Sequence, residues 1–164
     1  MQRFVVLLCL SFLAAACDKE VTQTMYDPPE KGPQMPVPPF QIQITLSDRA
    51  AKRLRDAHET IKGAVYFDGD GTSRPGEYTA PMRPVVLGSY YFELPEAGTV
   101  SVTDATISQE AFKRLTDQDY YYTLNVYSGR HAFKDNVLSG GYSETHVSEA
   151  LKQPIQVTCD LLTP

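Results

Sequence analysis

The stretch TLSDRAAKRLRDAHETIKGAVY, residues 45 to 66, aligns without a gap on TISQEAFKRLTDQDYYYTLNVY, residues 106 to 127. Nine of the 22 positions are identical at a constant offset of 61 residues, Ser47/Ser108, Leu54/Leu115 and Tyr66/Tyr127 among them. Internal similarity of this kind marks a duplicated supersecondary unit. Each copy parses the same way. Phe40, Ile42, Ile44 and Leu46 alternate with Gln41, Gln43 and Thr45, the period of a half-buried strand. Ser47 and Ser108 then stand where a side-chain oxygen caps the first turn of a helix. Ala50, Ala51 and Leu54 share one helical face in the first copy, and Ala111, Phe112 and Leu115 in the second. A returning strand turns Ile61, Gly63, Val65 and Phe67, or Tyr122, Leu124, Val126 and Ser128, toward the core.

Outward from the repeat, RPVVLGSYYFELP, TVSVTDA and PIQVTCDLL read as further strands, and ELPEAGTV as the turn joining the halves. The expected fold class is α+β, mainly β: six or seven strands and two short helices over residues 40–164. A β-sandwich and a twisted antiparallel sheet, built from two strand–helix–strand units over about 40–97 and 98–164, both satisfy this pattern. The domain carries 12 Lys/Arg against 16 Asp/Glu with no basic cluster. That balance argues against nucleic acid and against electrostatic docking on anionic lipid.

The N-terminus has a separate character. Arg3 precedes FVVLLCLSFLAAA, an uncharged apolar run of 13 residues. It is shorter than the roughly 20 residues that span a bilayer and fits the apolar region of a signal peptide over 1–16. It ends in LAAAC at Cys17, which resembles the lipobox of bacterial lipoproteins, with Ala14 where Leu is commonest and Leu13 one position early. The resemblance implies cleavage before Cys17, diacylglycerol on its sulfur and an acylated amine, hence a membrane anchor facing the periplasm. Asp18 is similar to the inner-membrane retention signal of enterobacterial lipoproteins. Residues 18 to 39 contain six prolines in 22 positions. A segment so composed buries too little apolar surface to fold alone, and 17–39 reads as a tether reaching up to roughly 70 Å from the membrane.

Chemistry-bearing motifs are few. AVYFDGDGTSR at 64–74 resembles the nucleophile motif of the haloacid dehalogenase-like phosphatases, which implies attack by Asp68 and acid–base work by Asp70. That motif belongs on a parallel Rossmann-like sheet followed by βα units, whereas SRPGEYTAPMRP continues a loop. The equivalent strand end in the second copy, VYSGRHA, has neither Asp. Asp-Gly pairs form turns readily, so a turn is expected and no enzyme. An EF-hand pattern started at Asp68 fails at positions five, six and twelve. His58, His131 and His146 lack metal-ligand spacing, and no metal or cofactor is expected. Cys159 alternates with Ile155, Val157 and Leu161, which predicts a buried thiol. Binding is the remaining chemistry. Alternation places Tyr121 and Tyr127 opposite the core, and tyrosine suits protein interfaces. The connection 128–154 reads as a long loop of the functional kind. Its Ser139–Tyr142 string SGGY resembles an element of periplasmic lysozyme inhibitors, which implies insertion into a hydrolase cleft. Tyr121, Tyr127, Ser139 and Tyr142 are the expected binding residues for a periplasmic protein partner.

Overall fold

The computed structural model describes residues 32–80 and 82–162. The signal peptide, Cys17, Asp18 and most of the proline-rich stretch lie outside the described residues. Among those described, no helix is long and apolar enough to cross a membrane.

The first repeat unit forms as its pattern requires. Strand β2 (Phe40–Leu46) buries Phe40, Ile42 and Ile44, helix α1 (Asp48–Ala57) buries Ala50 and Leu54, and β3 (Ile61–Gly69) returns. Ser47 caps α1 by accepting from the Ala50 N–H at 3.2 Å. In the second unit Ser108 caps α2 (Gln109–Phe112) through the Ala111 N–H at the same distance, between β6 (Thr106–Ser108) and β7 (Tyr121–Ser128). α2 is one turn long where α1 is nearly three. The loop after β3 reaches over and pairs Gly71 with Leu115, and Asp70 accepts the Thr116 N–H at 2.8 Å. Those bonds divert the chain from its helical path. β3 and β7, the returning strands of the two units, lie antiparallel, and Ala64 opposes Asn125, its own repeat equivalent. A local dyad therefore passes between the two copies.

Two four-stranded sheets enclose the core. One has the order β5-β2-β10-β8, with β5 at Thr99–Val102, β8 at Leu138–Ser139 and β10 at Ile155–Leu161; the other has the order β4-β3-β7-β9, with β4 at Val85–Leu94 and β9 at Tyr142–His146. A pair formed by β1 (Gln34–Pro36) and β6 completes the set. The arrangement is sandwich-like: Phe40 of β2 meets Phe67 of β3 edge-on at 6.5 Å and stacks on Tyr122 of β7 at 6.2 Å. The sheets are not wholly antiparallel, since β10 runs parallel to β2. Cys159 is buried and free, as its alternation predicts.

Four expectations need correction. The tether ends earlier than residue 39, because β1 pairs with β6 and the Val37 N–H bonds to the Ala105 carbonyl at 2.9 Å. The same antiparallel register continues from Gln34–Ser108 through to Gln43–Thr99. It lapses only near Pro38 and Pro39, which have no N–H to donate. The connection 128–154 is not one loop: it holds β8, β9 and a third helix, α3 (Val147–Ala150). Its SGGY string is not an inserting loop either. There β8, paired with β10, becomes β9, paired with β7, so one strand crosses between sheets. Gly140 has φ +82°, a Cβ on it would press on the Thr158 carbonyl, and a Cβ on Gly141 would collide with the Val126 carbonyl. Glycines make that crossing possible. Finally, Asp68 is not in a turn but in β3, buried on the sheet's outer side.

Candidate functional site

Register across β4-β3-β7-β9 decides which side chains share the outer face of that sheet. Tyr91, Ala64, Asn125 and Tyr142 form one cross-strand row, and Ser89, Tyr66, Thr123 and Glu144 the next. Asp68, Tyr121 and His146 form a third row, and Glu93, Lys62 and Tyr127 a fourth on the opposite flank. Five tyrosines therefore face outward from four strands. Tyr142 is 63% exposed and Tyr91 44%, and Tyr66 meets Tyr91 edge-on at 6.2 Å. Rings held edge to face present rigid contact area at low entropic cost.

One end of the face is closed by a charge cluster. Arg83, from the segment before β4, reaches back over the third row. Its guanidinium donates to Asp68 at 3.3 Å and to Glu144 at 2.6 Å, and lies 3.5 Å from the centre of the Tyr121 ring. Glu144 also accepts from the hydroxyls of Tyr142 and Thr123. His146 stacks on Tyr121 at 4.0 Å and bonds through Nδ1 to the Asp119 carbonyl at 2.8 Å. Burial pushes the Asp68 carboxyl up to about 6, against the opposing pull of Arg83. Glu144 is held below the ordinary range by the Arg83 and Tyr142 hydrogen bonds.

This geometry separates the expected binding residues. Tyr121, Tyr127 and Tyr142 lie on one face, as alternation predicts. Ser139 does not: it sits on β8 in the other sheet, its hydroxyl directed to the Asp160 and Leu161 carbonyls. Tyr121 is engaged by Arg83 and His146, so it acts as support, and Tyr127 carries Arg130 at 5.8 Å from its ring. Tyr91, Arg83 and Glu144 were missed. Tyr91 follows Tyr90 in a strand, and alternation alone assigns the two to opposite faces without saying which is outward. Arg83 and Glu144 carry no local signal at all.

The arrangement offers little to the phosphatase resemblance. β3 is antiparallel to both of its neighbours, and Asp68 is buried and paired with Arg83. The loop after it serves the fold: Arg114 donates to Glu77 and to the Thr72 carbonyl, and Gly71 leaves room for the Arg114 carbonyl. Among the described residues, no cluster of three or more His, Cys, Asp or Glu is placed to hold a metal. A cavity of about 380 Å³ opens beside the C-terminal end of α1, with Leu46, Leu54, Ile61 and Pro95 in its walls. Its buried carboxylate, Glu59, is already saturated by backbone donors. No family model matches this chain, and neither a curated protein nor a solved structure does.

Proposed function

We propose that this chain is a lipid-anchored cell-envelope protein whose folded domain binds a periplasmic protein and carries out no catalysis. The anchor reading rests on the LAAAC string at Cys17 and the apolar run before it. Asp18 favours the inner membrane. The binding reading rests on one observation: five tyrosines face outward from one sheet, with Tyr91 and Tyr142 the most exposed. Exposed aromatic side chains on a rigid scaffold are what protein interfaces use as anchors. An accessory or assembly factor of an envelope machine, or an immunity-type protein, fits this reading. A lysozyme or hydrolase inhibitor has less support, because Gly140 and Gly141 serve the strand crossing.

Labelled palmitate is expected to enter the wild-type chain and not Cys17→Ser; equal labelling would remove the anchor from the proposal. For binding, the full chain in detergent is used to capture partners from envelope extract. The double variant Tyr91→Ala/Tyr142→Ala should lose about 100-fold in affinity for a captured protein, roughly the effect of two anchor residues. Its circular dichroism should stay unchanged. Retained capture by that variant counts against this face. Saturable binding of a glycan or a metal ion, with no protein captured, counts against the protein partner.

A further inference from the structure

The crossing of β8 into β9 has a consequence for the sheet edge. Among the described residues, β9 is the last strand of its sheet, with β7 on one side and no strand on the other. The Val126 N–H bonds to the Gly141 carbonyl, and the Val147 N–H to the Tyr120 carbonyl. In an antiparallel pair such bonds recur at every second residue. Gly141, Ser143, Thr145 and Val147 therefore turn their backbone groups toward β7. The N–H and C=O of Tyr142 and Glu144 and the N–H of His146 point the other way and, among the described residues, meet no neighbouring strand. The His146 carbonyl is taken by the first turn of α3, which His146 caps. Beside this edge, between β9 and α3–β10, lies a groove of about 320 Å³ lined by Tyr122, Thr145, Ala150, Pro154 and Ile155 among others. It exists because β8 pairs with β10 only at Asp160 and Leu161, which leaves the first part of β10 without a neighbour on that side.

We propose that the free edge of β9 is a strand-addition site for an extended peptide segment of a partner protein. This rests on the protein-binding reading above and specifies how the partner engages. A strand laid along β9 pairs its backbone with Tyr142 and Glu144 and accepts from the His146 N–H. Its side chains then alternate between the tyrosine face and the groove. Those turned to the groove meet Ala150, Pro154 and Ile155 together with Ser143, Glu149 and Gln153, a lining of mixed polarity. Those on the other face pack against Tyr142 and its neighbours. A second copy is disfavoured as occupant. Antiparallel pairing of two β9 strands about their midpoint sets Glu144 opposite Glu144, and like charges directly opposed are unfavourable.

The test uses the full chain in detergent and a phage-displayed library of linear random peptides as probe. Selected peptides should slow amide exchange at Glu144 and His146 by about tenfold or more, since these donors gain partners. His146 has φ −68°, which proline adopts without strain. His146→Pro removes one outward N–H and should weaken peptide binding about tenfold, the equivalent of one hydrogen bond. His146→Ala keeps that N–H and should bind within about threefold of wild type. If His146→Pro fails to fold, the exchange measurement on the wild type decides alone. Equal binding by both variants with no slowing at Glu144 overturns strand addition. In that outcome, loss of binding in Tyr91→Ala/Tyr142→Ala leaves the tyrosine-face reading standing, and its retention removes both. Failure of any linear peptide to enrich also overturns the proposal. So does a concentration-dependent dimer, seen by sedimentation without peptide and abolished in His146→Pro, which assigns the edge to a second copy.

Discussion

Glu59→Ala is expected to lose about 3–5 kcal/mol of folding stability at pH 7, the range seen when buried polar networks are broken from one side. Glu59 is 2% exposed and follows α1 at the start of β3's approach. Its carboxylate accepts four backbone N–H groups: Thr60 at 2.9 Å, His131 at 3.2 Å, Ala132 at 2.8 Å and Phe133 at 3.1 Å. Three of these donors belong to the segment joining β7 to β8, so one side chain ties the two repeat units together. Alanine leaves the four donors without their acceptor. Since whole domains are stable by only about 5–15 kcal/mol, part of the population should unfold. Burial drives the Glu59 carboxyl upward, but the four N–H donors outweigh it and hold its pKa below the ordinary value of 4.5. The sign follows. With a depressed folded pKa, the contribution is fully present above 4.5 and is lost as pH falls through the lower folded value. Urea denaturation at pH 7 should show the full deficit, and the same comparison at pH 3 a smaller one. An unchanged midpoint at pH 7 would show that the loop finds other acceptors.

Arg83→Leu should be the second large effect. Asp68 is 3% exposed, and Arg83 is the cation that offsets its charge. Removing that partner leaves a buried carboxylate unpaired beside Glu144, at a cost of about 3–5 kcal/mol where it is ionised. In the wild type the Asp68 pKa already stands at about 6, raised from 3.8 chiefly by burial. A raised carboxyl means that the folded state holds its proton more tightly than the unfolded one. Stability from this group is therefore highest below pH 3.8, falls as pH rises to about 6, and is level above. Without Arg83 the folded pKa rises further and the fall continues to higher pH. The variant should be much weaker than wild type at pH 8; at pH 5, where Asp68 is largely protonated, the deficit should shrink to the part that comes from Glu144 losing its cation. Adding Asp68→Asn should restore the pH-dependent part of the loss at pH 8. A deficit of equal size at both pH values would trace the effect to the Glu144 pair and to packing on Tyr121 instead of the Asp68 charge.

Much of the fold was legible because it rests on local rules. The alternation of Phe40, Ile42 and Ile44 and of Tyr122, Leu124 and Val126 names the core face without any tertiary knowledge. Ser47 and Ser108 announce helix starts because capping involves residues three apart. The third helix escaped notice because it is a single turn, Val147–Ala150, too short to show a period. Its cap also comes from elsewhere: Asp119 accepts the Ser148 N–H at 3.1 Å. The crossing at Gly140 and Gly141 escaped for a related reason. A Gly-Gly pair reads equally as a loop or as a bend forced by close carbonyls, and the carbonyls belong to Thr158 and Val126 on other strands.

The amino-acid sequence by itself determined the two repeat units, the inward faces of β2, β3 and β7 and the burial of Cys159. Each of these follows from backbone periodicity and the cost of exposing apolar surface. Only the tertiary structure decided that Asp68, Arg83 and Glu144 meet, though they stand 15 and 61 residues apart along the chain. The same holds for the row of Tyr91, Ala64, Asn125 and Tyr142. A side chain's face is a local property of its strand. Its neighbours across the sheet depend on register, and here register is set by the Phe67/Asp68 bulge, the dyad between β3 and β7, and the glycine bend that delivers β9.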